Sequence, residues 1–182
     1  MRVVIIFIKV KNLAIDLFAL LFVGLSVGCT LGIVSNLFVK GVSSATNLRR
    51  TLFSDSILSS FTPVISLLIA AVIIILIRKV FNITRWHGPP DAILAAHQSN
   101  NSIDVKRGLG STLTAFVSAS GGASVGQYGP LVHFGATVAT FLENFTSKRL
   151  PPGIFIGCGV AAAISAGFNA PIAGLVFAHE AV

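Results

Sequence analysis

Two stretches of the chain, residues 17–39 and 56–77, contain no charged side chain. At about 1.5 Å per residue, a helix over either stretch is long enough to cross about 30 Å of hydrocarbon. Charged residues make up only 10% of the chain, whereas soluble domains typically contain about 25%. The sequence therefore predicts an integral membrane protein with two full spans.

The later uncharged stretches, residues 108–142 and 150–179, are interrupted by glycine, asparagine and proline. The breaks lie at residues 121–122, 126–130 and 169–171. Irregular backbone at membrane depth is tolerated only where it is buried in protein or lines a water-filled cavity. Discontinuous helices are typical of transporter cores, so we expect pairs of shorter helices here and a function for the breaks.

These patterns predict an all-α, polytopic membrane protein in which residues 1–182 form a single transmembrane domain. The helices are expected near residues 13–39, 59–80, 90–97, 104–119, 130–143, 151–167 and 171–182. Residues 41–60 are polar and rich in serine and threonine, so we interpret them as a loop. Three glycines at four-residue spacing in the first helix predict a face that packs closely on another helix: Gly24, Gly28 and Gly32.

The net charge of +7 does not indicate a nucleic-acid partner, because the basic residues are spread among hydrophobic segments instead of lining one face. They are expected in loops and at lipid headgroups, and their even distribution does not orient the chain. The six acidic residues are scattered, with no catalytic pair and no metal-ligand spacing. We therefore expect a bilayer protein that is not an enzyme and has neither cofactor nor metal.

The starts of the proline-led helices favour anions. The first backbone N–H groups of a helix have no partner within the helix, and the macrodipole places about half a positive charge there. The end of a buried half helix is consequently a ready anion site. Glycines just before a helix allow the ion to approach the backbone closely.

The run at residues 121–136 resembles the second anion-filter signature of the CLC chloride channels and chloride/proton antiporters. The family pattern is Gly-Lys/Arg-Glu-Gly-Pro followed by Val-x-x-Gly-Ala/Gly, and this chain has Gly-Gln-Tyr-Gly-Pro followed by Val-His-Phe-Gly-Ala. A second match lies at residues 159–180, where Phe-Asn-Ala-Pro-Ile-Ala-Gly is similar to the family's Phe-Asn-Ala-Pro-Leu-Ala-Gly turn. The resemblance covers nearly the whole chain and is sharp from Arg85 onward.

Membership of this family implies the first of two inverted repeats, with broken and re-entrant helices, and chloride as the default ion. It also implies a homodimer in the full-length form and, in our interpretation, the plasma membrane of a bacterium. The anion-binding residues that the two filter motifs imply are His87, Gly88, Pro89, Pro90, Gly126, Gln127, Tyr128, Gly129, Pro130 and Leu131.

Two residues depart from the family pattern at the implied site. The first filter motif of the family, Gly-Ser-Gly-Ile-Pro-Glu, falls on residues 86–91, so its anion-binding serine becomes His87. An imidazole N–H could donate to an anion, and binding could then depend on pH. The alternative is a capping or interfacial histidine beside Trp86. Two other histidines, His133 and His179, are interpreted as hydrogen-bonded across helices.

Tyr128 stands where the family has its gating glutamate. A phenol is neutral near pH 7, so it cannot compete with the anion as a carboxylate does. Glu180 aligns with the first of two glutamates in the family, and Ala181 with the inner proton acceptor of the antiporters. Both proton sites are then missing, which favours passive, channel-like or uncoupled conduction. Tyr128 is expected to be a steric gate or a ligand, or alternatively a packed aromatic plug.

Several alternatives stay open at the level of function. The family builds its pore from two repeats and this chain resembles one, so we interpret the chain as a fragment or as a half that assembles with another half. The alternatives are a truncated or non-conducting membrane subunit, a fluoride-type CLC protein and a proton-coupled CLC transporter.

Overall fold

The structure of the protein is a computed structural model that describes residues 2–52, 61–98, 103–126, 128–144 and 151–182, with side chains described from residue 13 onward except at 14 and 52. These residues form helices and turns and contain no strand, which confirms the all-α fold. The helices are α1 (Arg2–Leu52), α2 (Thr62–Val80), α3 (Pro89–His97), α4 (Val105–Ser120), α5 (Tyr128–Glu143), α6 (Pro152–Phe168) and α7 (Pro171–Ala181).

Proline sets the starts of four of these helices. It occupies one of the first two positions of α2, α3, α6 and α7, where its fixed φ suits a helix and its missing N–H costs nothing. Helix α4 instead has an aspartate cap, because the Asp104 carboxylate accepts from the Arg107 N–H at 3.1 Å. Helix α6 ends at Phe168 and is capped by Asn169, whose φ of 53° is left-handed, and α7 begins two residues after this cap.

Helix α1 extends well beyond the expected residues 13–39 and is helical through most of the predicted loop. The polar residues there fit a helix because their hydroxyls bond to its own carbonyls, as in Thr46 to the Val42 carbonyl at 2.9 Å. The extension also has a tertiary anchor, since the Arg49 Nη1 donates to the Gly121 carbonyl at 2.9 Å. The loop prediction failed because it counted polar residues and could not see this partner.

The two faces of α1 differ in their surroundings. Val23, Val27 and Leu31 are fully buried in a cluster that includes Phe155 of α6. The three glycines predicted to pack have no neighbour: a Cβ added at Gly24, Gly28 or Gly32 would meet no described atom within 4 Å. Within the described part of the chain, α1 therefore packs through its β-branched and leucine face, and the glycine face stays open.

Helices Ile15–Thr51 and Thr62–Val80 are long and apolar enough to cross a bilayer. Most large apolar side chains of α2 are exposed, including Leu68, Val72 and Leu76. Exposed apolar surface on this scale is stable only in contact with lipid or with another apolar surface. The length, composition and exposure of the two helices agree with an integral membrane protein.

The centre of the molecule is the crossing of α5 and α6, the most extensive helix contact in the structure. The two backbones touch at Gly135 and Gly159, where a Cβ on either residue would collide with the carbonyl of the other. Helix α7 folds back on α6 in a similar way, and a Cβ at Gly174 would collide with Ser165 of α6. These contacts hold α5, α6 and α7 together, and Ala92 and Ala95 of α3 pack in a core cluster with residues of α5 and α6.

Candidate functional site

The starts of α3 and α5 lie side by side. A Cβ on Gly129 would lie 3.6 Å from Cγ of Pro89, so the two helix starts are in van der Waals contact. Gly88 caps α3 in an extended conformation, with φ −151° and ψ −170°. The two segments that resemble the family's filter motifs are therefore adjacent. Gln127, one of the predicted anion-binding residues, lies outside the described residues.

The Asp91 carboxylate occupies the start of α3. The Gly88 N–H donates to Oδ2 of Asp91 at 2.8 Å, and the Asp91 N–H donates to the Gly88 carbonyl at 3.0 Å. Pro89 and Pro90 have no N–H to offer. The main chain of residues 88–91 thus has no free donor, so Gly88, Pro89 and Pro90 offer no backbone N–H group to an ion. Helix α3 contributes its dipole, which the Asp91 carboxylate partly offsets.

The start of α5 is better suited to an anion. Tyr128 and Gly129 are in its first turn, where backbone N–H groups have no acceptor within the helix, while Pro130 again has no N–H. Gly126 is exposed, and a Cβ there would meet nothing within 4 Å among the described atoms. Leu131 is 1% exposed and anchors the first turn in the core. Open space at Gly126 therefore lies close to the backbone donors of Tyr128 and Gly129.

The Tyr128 ring lies against the end of α6. It stacks on Phe168 with the ring centroids 4.2 Å apart and the planes 29° from parallel. A Cβ on Gly167 would lie 2.9 Å from Cδ1 of Tyr128, so the glycine makes room for the ring. The α5 start is in this way connected to the turn between α6 and α7, the second segment that resembles the family.

A polar cavity of about 180 Å³ lies next to the start of α3. It is lined by Arg85, His87, Asp91, Ala95, Ile103, Asp104, Arg107 and His133. Two ion pairs border it: Arg85 pairs with Asp91, and Arg107 pairs with Asp104 at 3.3 Å. A larger cavity of about 470 Å³ is bounded by α1 and α4 and is lined almost entirely by apolar residues such as Phe38, Leu113 and Phe116. Only the smaller of these two cavities offers ligands to an ion.

Two histidines meet at the polar cavity, with ring centroids 5.8 Å apart. His133 of α5 is 1% exposed, and neither of its ring nitrogens has a hydrogen-bond partner among the described residues. The buried Nδ1 of His87 lacks a partner in the same set. The expectation that His133 is hydrogen-bonded across helices was therefore wrong. Gly108 of α4 lies close to the ring, since a Cβ there would be 3.2 Å from Cε1 of His133.

Sequence reasoning did not group the residues of this cavity. Arg85, Asp104 and Arg107 were not among the predicted site residues, and His133 was expected to be hydrogen-bonded across helices. The sequence did carry one signal for this cavity, because His87 lies in the first filter-like motif and His133 in the second. The described residues contain no group of three or more His, Cys, Asp or Glu side chains that could hold a metal ion.

The chain matches the family described as "voltage gated chloride channel" over residues 69–182, which is more than half of its length. It is 30% identical over 143 residues to the voltage-gated ClC-type chloride channel ClcB of Escherichia coli, a match that covers 76% of this chain and 31% of that protein. It is also 30% identical over 100 residues to a ClcB-like chloride channel protein of Ralstonia nicotianae, covering 52% of this chain and 23% of the relative.

The chain thus spans about a third or less of the length of these relatives, and the family match includes the adjacent starts of α3 and α5. The resemblance found in the two filter-like motifs is confirmed by an independent match that contains both. The chain belongs to the voltage-gated chloride channel family.

Proposed function

We propose that the chain forms part of a permeation path for small anions, with chloride as the default ion. The observation that carries this proposal is the contact between Pro89 and Gly129, which puts the starts of two helices next to each other. Relatives of this chain are named as chloride channels, and the family match includes both helix starts.

The anion is held mainly by α5. Backbone N–H groups at residues 128 and 129 donate to it, and the α5 dipole adds a favourable potential. The neighbouring α3 start supplies a dipole of the same sign, weakened by its own Asp91 carboxylate. Such a site binds modestly, which suits a conducting path because an ion that binds tightly does not leave.

Conduction is passive or uncoupled, and Tyr128 is the gate. A neutral phenol cannot take the place of the anion as a charged carboxylate can, so Tyr128 acts by occupying space. Its ring is held by the Phe168 stack and by the gap over Gly167. Movement of the ring off this stack changes the room available at the α5 start. The second half of the path comes from a further repeat, and the complete protein is a homodimer in a bacterial plasma membrane.

Chloride efflux from proteoliposomes tests the proposal. The chain is reconstituted alone and as the longest reading frame that contains it, and chloride release is followed with an ion-selective electrode. Tyr128→Ala should raise efflux about tenfold, which corresponds to a barrier lower by about 1.4 kcal/mol. Tyr128→Phe keeps the ring and is the matched control, with efflux within about twofold of the unmodified protein. Equal efflux for the Ala and Phe variants would show that Tyr128 is not the gate.

A non-conducting subunit is the second candidate. It is favoured by the α3 start, where the Gly88 N–H is already bound to Asp91 and two prolines follow. In this case neither the chain nor the longer reading frame releases chloride, and Tyr128→Ala changes nothing. Efflux from the longer form alone supports conduction that needs a second half.

A further inference from the structure

The larger cavity is an apolar groove between α1, α4 and the end of α2. Its volume of about 470 Å³ lies within the range of about 300–1,000 Å³ that ligand sites usually have. Its walls are leucine, valine and phenylalanine side chains together with one threonine, Thr112. The Thr112 hydroxyl donates to the Gly108 carbonyl of its own helix at 3.1 Å. The described walls therefore offer no free side-chain donor, which favours an apolar occupant.

The groove is open on its outer side. Leu37 of α1 is 63% exposed and Leu113 of α4 is 47% exposed, although both line the groove. The buried Phe38 lines it as well and packs edge-on against Phe116, with the ring centroids 5.2 Å apart. Apolar cavities of this kind do not hold water. Because α1 and α2 have the length and composition of membrane spans, a lipid acyl chain can enter the groove from the side.

The contacts of α2 show which end of the groove lies near the membrane surface. Helix α2 is antiparallel to α4, because Ala70 lies against Gly121 at the end of α4 and Phe81 lies against Gly110 near its start. Arg78 in the last turn of α2 marks one end of this span, since basic side chains at helix ends extend to the lipid headgroups. The groove therefore begins near headgroup level and follows α4 into the bilayer.

The length of the groove suits one acyl chain. It follows α4 from Leu109 to Phe116, which is seven residues or about 10 Å at about 1.5 Å per residue. One leaflet supplies half of about 30 Å of hydrocarbon, or about 15 Å. The groove consequently has room for the part of the acyl chain that lies nearest the headgroup.

The headgroup end of the groove is basic. Lys106 is exposed and lies one turn before Leu109, on the same face of α4. Arg78 bends over the end of α2, where its Nε donates to the Ile83 carbonyl at 3.1 Å and its guanidinium carbon lies 6.0 Å from the Trp86 ring centroid. Tryptophan is itself enriched at the membrane–water interface. A phosphate at this end would thus meet two cationic side chains.

Acidic side chains do not neutralise these two cations. In the neighbouring segments, Asp91 is paired with Arg85 and Asp104 with Arg107. Neither Arg78 nor Lys106 forms an ion pair with a described residue. Basic groups between membrane helices are a known means of binding anionic lipid headgroups. The charge at this end therefore favours an anionic lipid over a zwitterionic one.

We propose that the groove binds one acyl chain of an anionic phospholipid, whose phosphate contacts Lys106 and Arg78. The acyl chain leaves one apolar environment for another, so it contributes little preference between lipids. The preference comes from the two basic residues, each of which favours an anionic headgroup about fivefold. The site is separate from the starts of α3 and α5, and lipid binding there does not require that the chain conduct ions.

Fluorescence of the unmodified chain is the first test, because Trp86 is its single tryptophan and lies at the headgroup end. The chain is reconstituted into vesicles that mix brominated phosphatidylcholine, which quenches tryptophan, with unbrominated phosphatidylglycerol. The loss of quenching gives the binding constant of phosphatidylglycerol relative to phosphatidylcholine. We expect a ratio of at least about tenfold, and a ratio below about twofold would overturn the proposal.

Matched variants assign this preference to the groove. Lys106→Gln should lower the ratio about fivefold. Arg50→Gln removes an exposed basic residue at the end of α1, on the side where α4 ends, and should leave the ratio within about twofold of the unmodified chain. Equal losses in the two variants would mean that phosphatidylglycerol responds to the overall charge of the chain, and the assignment would fail.

Filling the groove tests where the acyl chain lies. In native mass spectrometry the unmodified chain should retain one phosphatidylglycerol, and Leu113→Trp should retain none because the larger side chain occupies the groove. Leu113 is partly exposed, so the core does not have to rearrange. Leu68→Trp, on the exposed face of α2, is the control and should keep the lipid. Retention of the lipid by Leu113→Trp would show that the lipid binds elsewhere.

A second copy of the chain is the other apolar partner that could cover the groove. In that case native mass spectrometry shows dimers without phospholipid, and Leu113→Trp converts them to monomers. This result would overturn the lipid proposal. Chloride efflux in the Tyr128 variants is measured separately, so a failure of lipid binding and a failure of conduction can be told apart.

Discussion

Gly122 is a residue whose backbone and surroundings both require glycine. Its φ is +98°, which side-chain-bearing residues rarely adopt, and a Cβ there would collide with the Arg49 guanidinium. The same guanidinium donates to the Gly121 carbonyl at 2.9 Å. The residue therefore closes α4 and leaves space for the arginine that binds the end of that helix.

Gly122→Ala should lower the free energy of unfolding by about 1–3 kcal/mol, because it adds backbone strain and displaces Arg49. Denaturation in detergent, followed by circular dichroism, measures the loss. Gly28→Ala is the matched control, since a Cβ there meets nothing within 4 Å among the described atoms and alanine favours a helix interior by up to about 1 kcal/mol. Equal stability of the two variants would contradict this account of Gly122.

Among the helices, α5 and α6 make the most extensive contact. Gly135→Ala places a methyl group against the Gly159 carbonyl, and its nearest other neighbour is Cβ of Ala163 at 2.9 Å. Backbone cannot move aside as a flexible side chain does, so the helices must separate. We expect a loss of about 1–3 kcal/mol in the free energy of unfolding. Gly28→Ala again serves as the control, and a Gly135→Ala variant as stable as that control would mean that the helices are not in contact.

The end of α4 is held by side chains of α1 and α2. The Gly121 carbonyl accepts from Arg49 at 2.9 Å and from the Ser66 hydroxyl at 2.7 Å. The last carbonyls of a helix have no donor within the helix, so other groups must donate to them. Here Arg49 of α1 and Ser66 of α2 do so, which connects α1, α2 and α4 at one point.

Arg49→Ala should cost about 1.5–3 kcal/mol, the range for a lost charged hydrogen bond, whereas the neighbouring Arg50→Ala should cost less than about 0.5 kcal/mol. Hydrogen exchange at the amides that follow α4, residues 121–123, gives a local readout: exchange should become faster in Arg49→Ala only. Unchanged exchange in both variants would show that Arg49 does not hold the helix end.

The sequence predicts the shorter helices well where their starts carry a local signal. Proline at α3, α6 and α7 places the observed starts within one residue of the expected ones. The end of α1 had no such signal, because its polar residues bond to their own helix and its anchor, Gly121, is far away in sequence. The polar cavity was missed for a related reason: its residues come from α3, α4, α5 and the segments before α3 and α4, and no local pattern brings them together.

At the scale of the whole molecule, exposed apolar surface is concentrated on α1 and α2. Val23 and Val27 face the core, while Phe18, Phe22 and Leu25 on the same helix face outward. Helix α2 exposes most of its large side chains. A lipid contact on these faces agrees with a membrane protein whose core is built by α5 and α6.

Spin labels can test which faces meet lipid. In a chain with Cys29 and Cys158 replaced by alanine, a label at Leu68→Cys on α2 should be more accessible to oxygen than to a water-soluble nickel complex. A label at Ser124→Cys, exposed in the segment before α5, should show the reverse. Accessibility to nickel at Leu68 equal to that at Ser124 would place α2 in water.

Helix α1 has 51 residues, which corresponds to about 75 Å at about 1.5 Å per residue, more than twice the hydrocarbon thickness of about 30 Å. A helix longer than the hydrocarbon layer can tilt to match it, and the tilt is larger in a thinner bilayer. Since Arg49 fastens its far end to the close of α4, only a few residues before the Gly-Gln-Tyr-Gly-Pro segment, a change in tilt pulls on that segment. We therefore expect lipid chain length to affect the helix starts at which the anion is proposed to bind.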